Sequence, residues 1–156
     1  CLSDWSSDVC SSDLLETAGG IRHALHLLGG QPFLVINGDV FCDWDVRSAQ
    51  TIARTLAPET LAHVVLIDNP PHHPGGDFSL ANGRLQADGP CRYTFSGIGI
   101  YRPAMFSDLP DVTPAKLAPL LRHAIANQQI AGEHYAGRWV DVGTPERLAE
   151  LDQSLS

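Results

Sequence analysis

The feature that most restricts what this chain can fold into is a short run that is apolar at every position. Phe33-Leu34-Val35-Ile36 follows Pro32 and ends at Asn37-Gly38-Asp39. Continuous rather than alternating apolarity suits a strand covered on both faces, as in the parallel sheets of α/β proteins. His63-Val64-Val65-Leu66-Ile67 repeats the pattern. Helical periodicity surrounds both runs. Ile21, Ala24, Leu25 and Leu28 recur at helical spacing before Gly29-Gly30, and residues 46 to 56 and 116 to 126 read as further helices. Thr144-Pro145 supplies an N-cap and a first-turn proline for a last helix. Asn82-Gly83 between FSL and RLQ predicts a hairpin. Tyr93 to Tyr101 alternates as a strand, and its two glycines suggest a close backbone approach. Strands alternating with helices predict an α/β fold with a mixed, mostly parallel sheet flanked by helices.

At 156 residues the chain builds one domain. The first fourteen residues, CLSDWSSDVCSSDL, repeat Ser-Ser-Asp without hydrophobic period, so residues 1–14 read as a non-native or disordered leader and 15–156 as the domain. A formal charge of −8 with no Lys/Arg cluster argues against nucleic acid and membrane surfaces as partners. No apolar run reaches the length of a membrane span. The four cysteines show neither zinc spacing nor disulfide density, which points to a reducing cytoplasm.

The chemistry is expected at strand ends, where open α/β sheets place ligands. Asp39 follows the first apolar run, and Asp141 follows Arg138-Trp139-Val140. Two such carboxylates could converge on one Mg²⁺, which takes a few carboxylates together with phosphate oxygens and water. Each could equally cap a turn. Glu16-Thr17-Ala18-Gly19-Gly20 opens a helix whose amides could meet a nucleotide, or it is an ordinary helix entry. Asp43-Trp44-Asp45 has the Asp-X-Asp form of metal-dependent glycosyltransferases, yet its acids also suit a helix start. His72-His73 sits in a Pro/Gly-rich loop that is either solvated or faces substrate. Lys116 and Arg122 are isolated bases on or near a helix, where a lone Lys beside a cleft can hold a phosphate.

Taken in order, LETAGGIRHALHLLGGQPFLVINGDVFCDWD, LIDNPPHHPGGDFSL, FSGIGIY, KLAPLLRHAI and GEHYAGRWVDVGTPERL resemble the N-acetylmuramate-1-phosphate uridylyltransferases of the sugar nucleotidyltransferase superfamily. The resemblance runs from Leu15 to about Leu151 and implies a Rossmann-like, nucleotidyltransferase-type fold. It implies transfer of UMP from UTP to a sugar-1-phosphate in cell-wall recycling, with release of pyrophosphate. Asp39 and Asp141 would then be the catalytic Mg²⁺ ligands. Glu16, Thr17, Gly19 and Gly20 would lie by the nucleotide, and Asp77, Gly97 and Glu133 near the sugar. The family's third glycine is Ala18 here. Its N-terminal strand and phosphate-gripping glycine-rich loop have no counterpart, so the chain is expected to lack about 80 residues in front and to be inactive. Mannose- or glucose-1-phosphate nucleotidyltransferase, glycosyltransferase and non-catalytic sugar-phosphate-binding module are the other readings.

Overall fold

The structure, a computed structural model, describes residues 6 to 155, with side chains from residue 15 onward. The part of the leader expectation that concerns residues 1–5 lies outside the described residues. In chain order the helices are α1 (Ser6–Leu28), α2 (Ser48–Thr55), α3 (Leu117–Ala126) and α4 (Pro145–Leu155). The strands are β1 (Phe33–Ile36), β2 (Val40–Cys42), β3 (Ala62–Ile67), β4 (Phe78–Ala81), β5 (Arg84–Gln86), β6 (Arg92–Tyr101), β7 (Ile130–Tyr135) and β8 (Trp139–Asp141).

Local signals explain most of these elements. Gly29 takes the left-handed conformation at φ +75° and ends α1. Asn82 and Gly83 both have positive φ, 51° and 73°, as the tight turn between β4 and β5 requires. Thr144 caps α4, its Oγ1 accepting the Arg147 amide at 3.3 Å. The two apolar runs are β1 and β3, and β3 shows why successive positions from Val64 to Leu66 are apolar. Val64 and Leu66 join the core under α1 and α3, whereas Val65 joins a second core under α2, with Trp44, Ile98 and Ile100.

The main sheet is mixed, in the order β1-β6-β3-β7-β5-β4, with β6 also pairing β4. β1, β3, β4 and β7 run one way, and β6 and β5 run against them. The prevailing strand direction is therefore parallel, as expected. The ladders are not: β3–β7 is the one parallel pair, because the long β6 inserts between β1 and β3. β2 and β8 form a separate antiparallel ribbon at the carboxyl end of β1.

Candidate active site

Asp39 leaves β1 through Asn37 and Gly38, and Asp141 is the last residue of β8. The ribbon brings them together: Val40 pairs with Asp141, and the Val142 amide donates to the Asp39 carbonyl at 2.8 Å. A Cβ placed on Gly143 would stand 3.0 Å from Asp141 Oδ1 and 3.7 Å from Asp39 Oδ2. One oxygen of each carboxylate therefore lies within 3.7 Å of the same point beside Gly143.

Asp141 is held by its neighbours. Oδ1 accepts the Gly143 amide at 2.9 Å, while Oδ2 accepts Arg147 Nη1 and lies 3.7 Å from His72 Nε2. The Gly143 N–H, reinforced by the Arg147 and His72 charges, keeps the carboxyl below its ordinary pKa of 3.8. Asp141 is thus an oriented anion near neutral pH. Among the described residues no three His, Cys, Asp or Glu side chains gather as a metal cage. Two oxygen ligands beside open space suit Mg²⁺, which keeps several waters and takes its remaining ligands from phosphates.

Next to this pair lies a cleft of about 300 Å³, lined by Glu16, Thr17, Asn37, Asp77, Lys116 and Arg122 over an apolar wall that includes Phe95 and Leu121. Asn37 joins it to the aspartates, because two residues of chain span at most about 7 Å. Asp77 is fixed in the wall: its Oδ2 accepts the Phe95 amide at 2.9 Å, and its Oδ1 lies 3.1 Å from His73 Nε2. The loop carrying His72 and His73 is tied down by Asn69, whose Nδ2 donates to the carbonyls of Pro74 and Arg92. One histidine consequently meets Asp141 and the next meets Asp77.

Glu16 has φ 56° and ψ 173° at the kink of α1, a conformation that side chains other than glycine rarely adopt. Gly19 is a packing glycine, since a Cβ there would collide with the Thr113 carbonyl. The Ala18 and Gly19 amides both donate to the Ala115 carbonyl, so these two donors are already used within the protein. Gly20 is half-buried with free space beside it. Gly97, at φ +82°, sits in an irregular stretch of β6 and lets Asn37 approach; a Cβ would come within 2.9 Å of that side chain. The close approach inferred from the β6 glycines is therefore made by protein atoms, Asn37 at Gly97 and the Tyr101 ring at Gly99.

The structure does not bring Glu133 to the cleft. Its carboxylate accepts Trp44 Nε1 at 2.8 Å and lies 3.9 Å from His63, on the α2 face, whereas the cleft opens beside α3. The Asp-X-Asp acids are engaged elsewhere too. Asp45 accepts the amide and guanidinium of Arg47, in keeping with a helix-start role, and Asp43 accepts the Tyr135 hydroxyl at 2.6 Å. That bond pushes the Tyr135 pKa up to about 12. Sequence reasoning missed Asn37, Arg147 and the direction of the histidines. Asn37 and Arg147 had a signal in their positions, one at a strand end and one in the first turn of a helix that follows Asp141.

Comparison with known proteins accords with this geometry. The chain is 50% identical over 139 residues to an N-acetylmuramate alpha-1-phosphate uridylyltransferase of Neisseria meningitidis, covering 87% of this chain and 60% of that protein. It is 30% identical over 156 residues to the enzyme of the same name from Caulobacter vibrioides, covering 91% and 62%. The chain therefore spans about three fifths of the length of these curated relatives. Its fold matches a Bacillus anthracis protein described as a glucose-1-phosphate thymidylyltransferase, crystallised with sucrose. The TM-score is 0.72 at 17% identity, covering 88% of this chain and 60% of the other. No family model matches the chain.

Proposed function

We propose that this chain, a homologue of the N-acetylmuramate α-1-phosphate uridylyltransferases with the fold of the sugar nucleotidyltransferases, belongs to a protein that transfers UMP from UTP to N-acetylmuramate 1-phosphate. An oxygen of the sugar phosphate attacks the α-phosphorus, the bond to the β-phosphate breaks, and pyrophosphate leaves. Asp39 and Asp141 would hold a Mg²⁺, which would supply charge neutralisation of the reacting phosphates, with the Gly143 amide and Arg147 fixing Asp141. The cleft lined by Asn37, Asp77, Lys116 and Arg122 takes the sugar, and the family resemblance assigns Glu16 and Thr17, in the wall of the same cleft, to the nucleotide. Catalysis of this kind is positioning plus electrostatics and needs no protein nucleophile. The reaction would recover a cell-wall sugar in the cytoplasm, a compartment compatible with the free thiols of Cys42 and Cys91.

The observation that carries this reading is the convergence of the Asp39 and Asp141 carboxylates beside Gly143. Its test is Mn²⁺ titration, followed by electron paramagnetic resonance, of the chain and of Asp39→Asn, Asp141→Asn and Asp43→Asn. Loss of ion binding is expected in the first two variants and unchanged binding in the third. Binding that survives both Asp39→Asn and Asp141→Asn, or is lost with Asp43→Asn, would remove the basis for the assignment.

A further inference from the structure

The cleft beside the aspartate pair carries positive charge that the protein itself leaves largely unused. In this acidic chain most basic side chains are committed. Arg22 donates to the Leu109 carbonyl, Arg84 pairs with Glu59, Arg102 donates to the carbonyls of Leu56, Ala57 and Thr60, and Arg147 holds Asp141. Among the described residues Arg54 and Arg122 are the guanidiniums without a hydrogen-bond or ion-pair partner, and of these two it is Arg122 that lines the cleft. Arg122 stands one helical turn beyond Ala118, and both line the cleft. Lys116 completes the pair. Among the described residues its one ion contact is Glu16 at 3.9 Å, with both side chains exposed, an arrangement that holds an ammonium only weakly. The other acid in the cleft, Asp77, is already satisfied by the Phe95 amide and His73.

Two weakly committed donors, one of them a planar fork, call for an anion with two oxygens. A cation at Asp39 and Asp141 would serve the phosphate of a sugar-1-phosphate, which leaves an acidic group on the sugar itself as the anion for this pair. We propose that Lys116 and Arg122 form a carboxylate subsite that selects a sugar-1-phosphate bearing a lactyl ether over its neutral N-acetylhexosamine counterpart. The inference rests on the sugar-phosphate reading above and deepens it. The lactyl ether of N-acetylmuramate is carried on O3 of the ring, two ring carbons from the anomeric phosphate. With the phosphate at the cation beside Asp39, this carboxylate would be the group that meets Lys116 and Arg122 in the cleft that Asn37 also lines.

Calorimetric titration of the chain in Mg²⁺ with N-acetylmuramate 1-phosphate and with N-acetylglucosamine 1-phosphate tests this. The two ligands differ in the lactyl group alone. The acidic sugar is expected to bind about tenfold more tightly, the size of one charge-assisted hydrogen bond. Lys116→Gln and Arg122→Gln are each expected to shrink that ratio, and the double variant to bring it near one. Lys116→Arg, which keeps the charge, should retain it. Raising the ionic strength should also erode the preference. Both positions are exposed, so thermal unfolding of the variants should match the parent. If the double variant keeps the full preference, or the parent binds both sugars equally, the subsite is wrong and the sugar-phosphate reading stands. If neither sugar phosphate binds the parent, that reading falls and the subsite with it.

Discussion

Glu16 shows at a single residue how the site departs from ordinary backbone rules. Its φ of 56° with ψ of 173° belongs to a region that costs a residue with a Cβ about 1–3 kcal/mol, and it lines the candidate substrate cleft. Glu16→Gly is therefore expected to raise stability by about 1 kcal/mol, read as an upward shift in thermal midpoint. A variant that melts lower would show that the Glu16 side chain contributes more than its backbone costs. Tyr101 is a second outlier, fully buried with no partner for its hydroxyl. Burial pushes its pKa well up, so it stays neutral. Tyr101→Phe removes a desolvated polar atom and keeps the ring contacts with Phe33 and Phe106. Its stability should equal or exceed the parent's by about 1 kcal/mol in a urea melt.

At the scale of elements, α4 is the one whose start bears directly on the site. The Thr144 cap fixes the first turn, and that turn carries Arg147 to Asp141. Thr144→Ala is expected to cost about 1 kcal/mol of stability. It should also weaken Mn²⁺ binding, because a frayed first turn no longer holds Arg147 against Asp141. Unchanged ion affinity in a destabilised variant would separate the cap from the site. The helices, the hairpin and the apolar strands were legible because their signals are local: helical spacing before Gly29, Asn82-Gly83 in a turn, unbroken apolarity in β1 and in residues 64 to 67 of β3. β7 was not legible. Its IAGEHY carries a glycine and two ionisable residues where a buried strand should be apolar. The structure makes it the parallel partner of β3, with the Leu85 side chain filling the space above Gly132. β2 went unread because three residues gain strand geometry only by pairing with β8.

For the molecule as a whole, stability should depend on pH through His63. Burial is the main influence on this imidazole and lowers its pKa from the ordinary 6.5, with Glu133 opposing. Above pH 6.5 the ring is neutral folded and unfolded, so it contributes no pH dependence. As pH falls below that value the unfolded chain takes up a proton that the folded state resists, and stability declines until the folded-state pKa is passed. His63→Gln should flatten this part of the stability profile; an unaltered slope would assign it to other histidines. The sheet edge is a second global property. Among the described residues β1 pairs with β6 alone, and Ile36 at its end is 44% exposed. An open apolar edge invites pairing between chains. Ile36→Lys is expected to lower any concentration-dependent rise in sedimentation coefficient in analytical ultracentrifugation, and a rise equal to the parent's would exclude this edge as the pairing surface. Local pattern was enough for the helices, the β4–β5 hairpin, β1, β3, β6 and β8, and for placing Asp39 and Asp141 at strand ends, since periodicity and turn chemistry act between near neighbours. Only the tertiary structure decided that β6 inserts antiparallel between β1 and β3, that β8 carries Asp141 to Asp39, that the two histidines divide between two acids, and that Glu133 turns to the α2 face. Apart from the four-residue step from His73 to Asp77, these outcomes depend on pairings and side-chain contacts between residues some thirty to a hundred positions apart, which no local pattern specifies.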